Sequence, residues 1–183
     1  LAMCDLSQNT KLRNANIQQN QMQSLDFSNC PELETLVCSY NKYLVDLNLT
    51  GCTKLGNLQA QSTGLTSLSI PNKNAMYNFL YGDTGLSFDL SEFPNLTGLG
   101  VMNYNLTSLD FIPSSVKQKL TTLFCDGNQL TSIDLSEFTN LEYLFCDNNQ
   151  LTSLDLSQSS QIRELSCHHN KIVSLDVTPL TTL

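Results

Sequence analysis

The sequence predicts a mainly β fold, a solenoid of short coils that stack through a parallel sheet. Two observations predict it. A single pattern recurs along the whole chain, clearest in LTTLFCDGNQLTSIDLS (120–136) and LEYLFCDNNQLTSLDLS (141–157). Within each copy, apolar residues alternate with polar ones around the middle, which is typical of a strand with one buried face.

The copies fit one template of 21 positions, L-x-x-L-x-C-x-x-N-x-L-T-S-L-D-L-S-x-x-x-x. We therefore interpret residues 1–183 as a single solenoid domain, because one copy cannot bury its own apolar row and needs stacked neighbours. The half repeat 1–11 comes first, Leu183 opens a further repeat, and the full repeats are 12–32, 33–54, 55–75, 76–95, 96–119, 120–140, 141–161 and 162–182.

A coil as short as this template has little room for a helix. We therefore expect a parallel sheet on one side of each coil and short extended or 3-10 segments on the other. Repeat 33–54 has an extra residue near Tyr43, repeat 76–95 lacks one near Ser87, and repeat 96–119 has three extra residues. Both ends of the sequence stop in mid-template, which predicts a piece of a longer solenoid with uncapped end coils.

Composition excludes several classes of function. The net charge is −8, with 17 acidic against 9 basic residues, whereas binding to a nucleic-acid backbone needs clustered Lys and Arg. Since no stretch is apolar enough for a transmembrane helix, we predict no direct membrane insertion. The sequence starts without the basic and apolar segments of a signal peptide. Seven cysteines cannot all pair within one chain.

The template resembles the leucine-rich repeat family, whose signature is L-x-x-L-x-L-x-x-N/C-x-L. It is similar to the 21-residue cysteine-ladder branch of internalin-like bacterial surface proteins, in which Cys replaces the Leu after the central strand residue. The resemblance implies a right-handed leucine-rich repeat solenoid, with the sheet on its concave side and extended or 3-10 segments on its convex side. It also implies a non-catalytic binding module of a bacterial cell-surface or secreted protein, and hence an extracellular location.

Template position 6 predicts a buried cysteine ladder rather than a metal or redox site. Ile17, Ala60 and Val101 fill the same position and could not replace a metal ligand, whereas free cysteine packs as a small hydrophobe. The ladder cysteines are Cys38, Cys125, Cys146 and Cys167. Cys30 and Cys52 occupy matching positions, which predicts a second small stack. Cys4 falls at an apolar template position and is predicted to lie in the core. We predict no metal and no cofactor.

Template position 9 predicts a second structural column, because Asn can donate and accept hydrogen bonds where the backbone turns inward. Its members are Asn20, Asn41, Asn128, Asn149 and Asn170. A polar binding row is the alternative. Position 15 carries an aspartate column, interpreted as a solvated edge that bonds locally to Ser, Thr and backbone, with weak cation binding left open.

The candidate ligand site lies at the positions that alternate with the core, 3, 5, 7 and 8. Clustered exposed aromatics usually mark a contact surface, although aromatics also pair simply to stabilise strands. The predicted site residues are Phe124, Phe145, Tyr143, Asp126, Asp147, Leu80, Tyr77, Met102 and His168. A protein ligand is favoured; a carbohydrate or peptidoglycan ligand, or a passive spacer, is the alternative.

The middle repeats 55–119 lose Cys and Asn together, at Ala60, Tyr81 and Val101 and at the matching Thr and Tyr positions. A functional site, a bend or simple drift of a tolerant repeat would each produce this loss. Catalysis has little support, because acids and hydroxyls recur in every repeat and none stands out as a nucleophile. His168 should point outward and Cys167 inward, which argues against a zinc site there.

Overall fold

The computed structural model describes residues 4–6 and 8–180, and these form the mainly β, parallel-strand solenoid that the sequence predicts. The chain divides into two compact units, 1–95 and 96–183, called the first and second unit below. The division falls between two predicted repeats, and a single domain over 1–183 stays a prediction. Leu183 lies outside the described residues. Within the described part of the chain, no helix is long and apolar enough to cross a membrane.

The first unit contains two parallel sheets of three-residue strands. Its strands are β1 Asn14–Asn16, β2 Ser24–Asp26, β3 Thr35–Val37, β4 Asp46–Asn48, β5 Asn57–Gln59 and β6 Asn78–Leu80. The larger sheet has the order β1-β3-β5-β6, and β2 pairs with β4 in the second half of their coils. A 3-10 helix at Leu90–Glu92 follows β6 in the second half of the last repeat of this unit.

The second unit has one parallel sheet and a single short helix among its described residues. The strands are β7 Gly98–Gly100, β8 Thr122–Phe124, β9 Tyr143–Phe145 and β10 Glu164–Ser166, and the helix α1 is Ser114–Lys117. The sheet order is β7-β8-β9-β10. Helix α1 lies in the insertion of repeat 96–119, so the extra residues extend the side of the coil opposite its strand.

Strand register follows the repeat lengths within each unit. Asn14 pairs with Thr35 and Thr35 pairs with Asn57, each partner being the equivalent residue of the next repeat, so the extra residue of repeat 33–54 is absorbed between strands. In the second unit Gly98 pairs with Thr122, and Thr122 with Tyr143, so the longer insertion of repeat 96–119 also leaves the register intact. The middle residue of each strand faces the core because successive side chains alternate in direction.

The strands of the larger sheet in the first unit and of the sheet in the second are each followed by left-handed backbone at template position 8. These residues have φ between 53° and 66° and are Gln19, Tyr40, Ser62, Asp83, Asn103, Gly127, Asn148 and His169. Left-handed backbone is unfavourable for most side chains and easiest for Gly and Asn. At Gly127 a second reason applies, since an added Cβ would come within 1.9 Å of Asn103 Oδ1.

The ladder cysteines lie along the core, and their thiols do more than fill space. Cys146 donates its N–H to Ser166 O at 2.9 Å and lies with Sγ 3.4 Å from the same carbonyl, one coil further on. The same pair of contacts recurs at Cys38 and Cys125. All seven cysteines are free thiols. The ladder therefore links successive coils through their backbones as well as through packing.

The prediction that every cysteine is buried is wrong at both ends of the described chain. Cys30, Cys38, Cys52, Cys125 and Cys146 are fully buried, whereas Cys4 and Cys167 are only half-buried. Cys52 Sγ donates to Phe27 O at 3.3 Å, which supports the predicted second stack with Cys30. Cys4 and Cys167 belong to coils that carry a described neighbour on one side only, so less of each thiol is covered.

Four asparagines of the column join their coils to the preceding ones. Asn149 Nδ2 donates to Cys125 O at 3.0 Å and Cys146 O at 3.1 Å, and its Oδ1 accepts from Leu130 N at 3.0 Å. Asn41, Asn128 and Asn170 bond in the same way. Among the described residues, no buried side-chain N or O atom lacks a partner. These bonds give the column the structural role that its chemistry indicates.

The aspartate column caps local turns, as predicted. The backbone N–H of the Ser or Thr two residues later donates to Asp26, Asp89, Asp134, Asp155 and Asp176. These bonds, together with those from the hydroxyls, lower the pKa of each carboxyl. Asn48 takes the same role, accepting from Thr50 N at 3.1 Å.

Repeat 76–95 replaces the ladder with aromatic packing. Tyr81 occupies the cysteine position, and its ring lies 4.7 Å from that of Phe79 and 5.3 Å from that of Phe88. Phe79 also contacts Phe93, with centroids 5.6 Å apart. Thr84 stands at the asparagine position and donates to Tyr81 O, within its own coil. Larger side chains here fill the space that the Cys and Asn columns fill elsewhere.

Native thiols should react in two classes. We expect a thiol-reactive dye to label Cys4 and Cys167 first, and the five buried cysteines only on unfolding, because burial raises the pKa of Cys38 and Cys52 to about 12. Peptide mass spectrometry of native and urea-unfolded protein measures each site. Rapid native labelling of Cys125 or Cys146 would contradict the ladder geometry.

Replacing Asn149 by Ala should lower the free energy of unfolding by about 1–3 kcal/mol, since the buried N–H of Leu130 loses its partner, whereas the carbonyls of Cys125 and Cys146 keep their bonds from Asn128 and Asn170. Asn149→Thr is the matched control, because Thr63 keeps one bond at this position, to Ala60 O. It should lose about half as much. Urea unfolding measures both. Equal losses would show that the bond within the coil contributes nothing, and a wild-type stability of Asn149→Thr would show that the bonds between coils contribute nothing.

The aspartate caps should make stability depend on acid pH. A carboxyl whose folded pKa lies below its unfolded value of about 3.9 stabilises the fold above that pH and loses this effect as the pH falls through the folded pKa. We expect Asp134→Asn/Asp155→Asn to keep the turn bonds, as Asn48 does, and to flatten this part of the decline. Urea midpoints from about pH 5 to pH 3 measure it. Identical profiles for variant and wild type would sink the idea.

Candidate functional site

Two stacked phenylalanines form the centre of the candidate site in the second unit. Phe124 and Phe145 are register partners in β8 and β9, and their rings lie 4.7 Å apart with planes only 9° from parallel. Both are half-buried. Parallel neighbouring strands bring identical template positions side by side, so phenylalanines at one position of successive repeats stack without any special loop.

The stack has unequal neighbours along the sheet. Phe124 pairs on one side with Gly100, which has no side chain, and Phe145 pairs on its other side with Ser166, which has a small polar one. Tyr143, half-buried at template position 3, lies two residues before Phe145 on the same face of β9. The three aromatics therefore form a patch edged by small residues, which we call the aromatic patch.

An acidic row runs beside the aromatic patch at template position 7, and it is bound into the coils. Asp126 Oδ1 accepts from Asp147 N at 2.9 Å. Asp147 in turn accepts from His168 N at 2.7 Å and from the Ser166 hydroxyl at 2.7 and 2.8 Å, and His168 Nε2 lies 2.9 Å from its Oδ2. Each carboxylate thus caps the backbone of the following coil.

The side chains of the acidic row differ in how much of their surface is exposed to solvent. The Asp147 side chain is 13% exposed and the His168 side chain 61%, so His168 covers the carboxylate and presents its own ring to solvent. Burial raises the pKa of Asp126, with the charge of Asp147 adding to this effect and hydrogen bonds opposing it. A ligand on the aromatic patch would meet the partly exposed Asp126 and the His168 ring before it met Asp147.

The remaining predicted residues lie elsewhere or are covered. Leu80 is 7% exposed, so the prediction that it adds apolar surface is wrong; neighbouring side chains cover it although its position alternates with the core. Tyr77 is 48% exposed in the first unit and lies against Gly56, where an added Cβ would come within 2.6 Å of its ring. Met102 is half-buried at the template position of Asp126.

The two adjacent histidines pack against each other. The rings of His168 and His169 meet edge to face, with centroids 4.8 Å apart. Cys167 is half-buried at the core-facing template position, whereas the adjacent His168 contacts Asp147 on the alternate face. In the described residues, no group of three or more His, Cys, Asp or Glu side chains is arranged to hold a metal ion.

Sequence reasoning missed two exposed tyrosines in the first unit. Tyr40 and Tyr43 are 51% and 50% exposed and line the same surface groove. Tyr43 lies where repeat 33–54 has its extra residue, and this insertion is the signal that could have drawn attention to the pair.

Comparison with known proteins agrees with this geometry. A sequence model of the leucine-rich repeats, in two copies, matches residues 118–158. No curated protein matches the chain in sequence. Among solved structures, the functional domain of InlJ from Listeria monocytogenes, which includes a cysteine ladder, is 24% identical with a TM-score of 0.64, over 100% of this chain and 50% of that one.

Two further structures share the fold. YopM from Yersinia enterocolitica is 22% identical, with a TM-score of 0.63 over 95% of this chain and 41% of its own. A chain of the Drosophila Toll–Spätzle complex is 15% identical, with a TM-score of 0.58 over 90% and 28%. The chain thus spans half or less of these proteins. The recurring template, the parallel coils and these structures show a leucine-rich repeat solenoid fold, with the family model matching residues 118–158.

Proposed function

We propose that this chain is a non-catalytic binding module that holds a protein ligand on the aromatic patch of its second unit. Leucine-rich repeat proteins of the internalin and YopM type are typically protein-interaction modules, and the solenoid is typically a scaffold for binding rather than for catalysis. The similarity to InlJ supports placing the module at the surface of a bacterium or among its secreted proteins.

The stacked Phe124–Phe145 pair is the observation that carries the proposal. Its rings are rigid, because they have two rotatable bonds each and restrain one another at 4.7 Å. Rigid aromatic side chains lose little entropy on binding and are enriched among residues that dominate interface energies. Half-burial leaves one side of the stack available to a partner while the other stays on the sheet.

The surroundings suggest what the partner presents. The small neighbours Gly100 and Ser166 leave room at both ends of the stack for an inserted apolar side chain. Asp126 lies alongside, on a chain whose net charge is −8. A protein with an apolar anchor beside Lys or Arg therefore fits best, since opposite charges steer association and secure its orientation.

The double change Phe124→Ser/Phe145→Ser tests the proposal. Ser stands at the same template position in β10, so the strands tolerate it, and we expect a loss of about 1–3 kcal/mol in the free energy of unfolding from the lost stack. Binding of the protein ligand should weaken by about tenfold or more. Affinity capture from host-cell and bacterial surface fractions, quantified by mass spectrometry, identifies the ligand, and its purified form gives the Kd.

Phe111→Ser is the matched control, because Phe111 is an exposed phenylalanine of the second unit that lies outside the patch. It should leave both capture and Kd unchanged. Equal capture by wild type and the double variant would overturn the proposal and favour a passive spacer. Capture of glycans rather than proteins, lost in the double variant, would overturn it in favour of a carbohydrate module.

A further inference from the structure

The first unit carries a groove of about 460 Å³ with a composition unlike that of the aromatic patch. It spans three successive coils, from repeats 12–32, 33–54 and 55–75. It is lined by two tyrosines, three amide residues, a lysine and a serine: Tyr40, Tyr43, Gln19, Asn20, Gln21, Lys42 and Ser62. This volume lies within the range of small-molecule sites, about 300–1,000 Å³.

Backbone geometry fixes Tyr40 in the groove. Gln19, Tyr40 and Ser62 occupy template position 8 of neighbouring coils, with φ of 57°, 60° and 54°. Each donates its N–H to the next coil, at 2.9 Å, so the column is hydrogen-bonded from coil to coil. Every repeat needs left-handed backbone here, but an aromatic residue is a costly choice where Asn or Gly would be easier. Contact between the outward-facing ring and a ligand would offset this cost.

An insertion brings the second ring to the groove. Repeat 33–54 has one residue more than the template, and the extra residue lies near Tyr43. Tyr43 is 50% exposed, and the Lys42 amine lies 4.8 Å from its ring centroid. The cation restrains the ring and remains at the rim of the groove as a hydrogen-bond donor. The surface is therefore built by a departure from the repeat rather than by the repeat itself.

The polar groups of the groove suit a ligand rich in hydroxyls. The glutamine amides each offer a donor and an acceptor. The Ser62 hydroxyl donates to Asp83 Oδ2 at 2.7 Å, which leaves its oxygen able to accept from a ligand. The Asn20 amide nitrogen donates to the carbonyls of Ile17 and Gln18 and belongs to the structural column. No aliphatic side chain and no carboxylate lines the groove among the described residues.

We propose that this groove binds a neutral oligosaccharide. A pyranose ring has an apolar face of C–H groups, which packs on a tyrosine ring, and an edge of hydroxyls that both donate and accept hydrogen bonds to amides. A protein anchor would instead favour aliphatic walls that close around an apolar side chain. The site is separate from the aromatic patch, and its ligand does not depend on the proposed function.

The test uses a glycan array of neutral oligosaccharides, followed by an NMR titration with the saccharide that gives the strongest signal. The test variant is Tyr40→Asn/Tyr43→Ser, because Asn adopts left-handed backbone more easily than Tyr and so preserves the turn. We expect wild type to bind, and the variant to raise the Kd by about tenfold or more. The variant should unfold thermally at the wild-type temperature or slightly above it, which shows that any loss of binding is not a loss of fold.

Two controls separate the sites. Phe111→Ser removes an exposed ring of the second unit, and Phe124→Ser/Phe145→Ser removes the aromatic patch; both should leave the saccharide Kd unchanged. A wild-type protein that binds none of the arrayed saccharides would overturn the proposal. Saccharide binding that survives in Tyr40→Asn/Tyr43→Ser would also overturn it. If that variant abolishes capture of a protein instead, the groove is a protein docking surface and the proposal is wrong.

Discussion

Each coil turns inward directly after its strand, and the peptide groups of that turn lose their contact with water and must find partners inside the protein. The asparagine column supplies them. Asn149 binds one carbonyl of its own coil, one carbonyl of the preceding coil and an N–H of that preceding coil. One side chain thereby fixes the turn and the spacing between coils, and the strands, the cysteine ladder and the register follow from that spacing.

Repeat 76–95, with its packed rings of Phe79, Tyr81, Phe88 and Phe93, meets the need to satisfy the inward turn in a different way. Thr84 donates to Tyr81 O within its own coil, whereas Asn149 donates both within its coil and to the preceding one. Phe79 and Tyr81 contribute buried area in this repeat, and aromatic contacts stabilise by both area and ring geometry. Aromatic packing therefore accompanies the change from Asn to Thr in this coil.

Much of this fold could be predicted because the residue types found at each template position indicate whether that position is buried. A position that accepts Cys, Ile, Ala and Val must face the core, and the register offsets follow from repeat lengths. The candidate site was less predictable, since alternation assigns Leu80 to the surface whereas neighbouring side chains cover it. The pattern presents Asp147 as a free acid, yet its carboxylate caps the next coil. Such contacts depend on the distances between side chains of neighbouring coils, and these distances cannot be read from a single sequence.

The aromatic patch and the tyrosine-lined groove arise from different changes to the repeat. Phe124 and Phe145 stack because identical positions of successive coils lie side by side, so a single substitution in each repeat creates the surface without disturbing the backbone. Tyr43 needs an insertion, and Tyr40 needs a bulky ring on left-handed backbone. Substitution on the strand face places rings side by side on the sheet, whereas the insertion lies near Tyr43, which lines the groove. The solenoid can therefore carry both kinds of site, because the bonds that Asn41 and Asn149 make between coils are independent of the rings that form these surfaces.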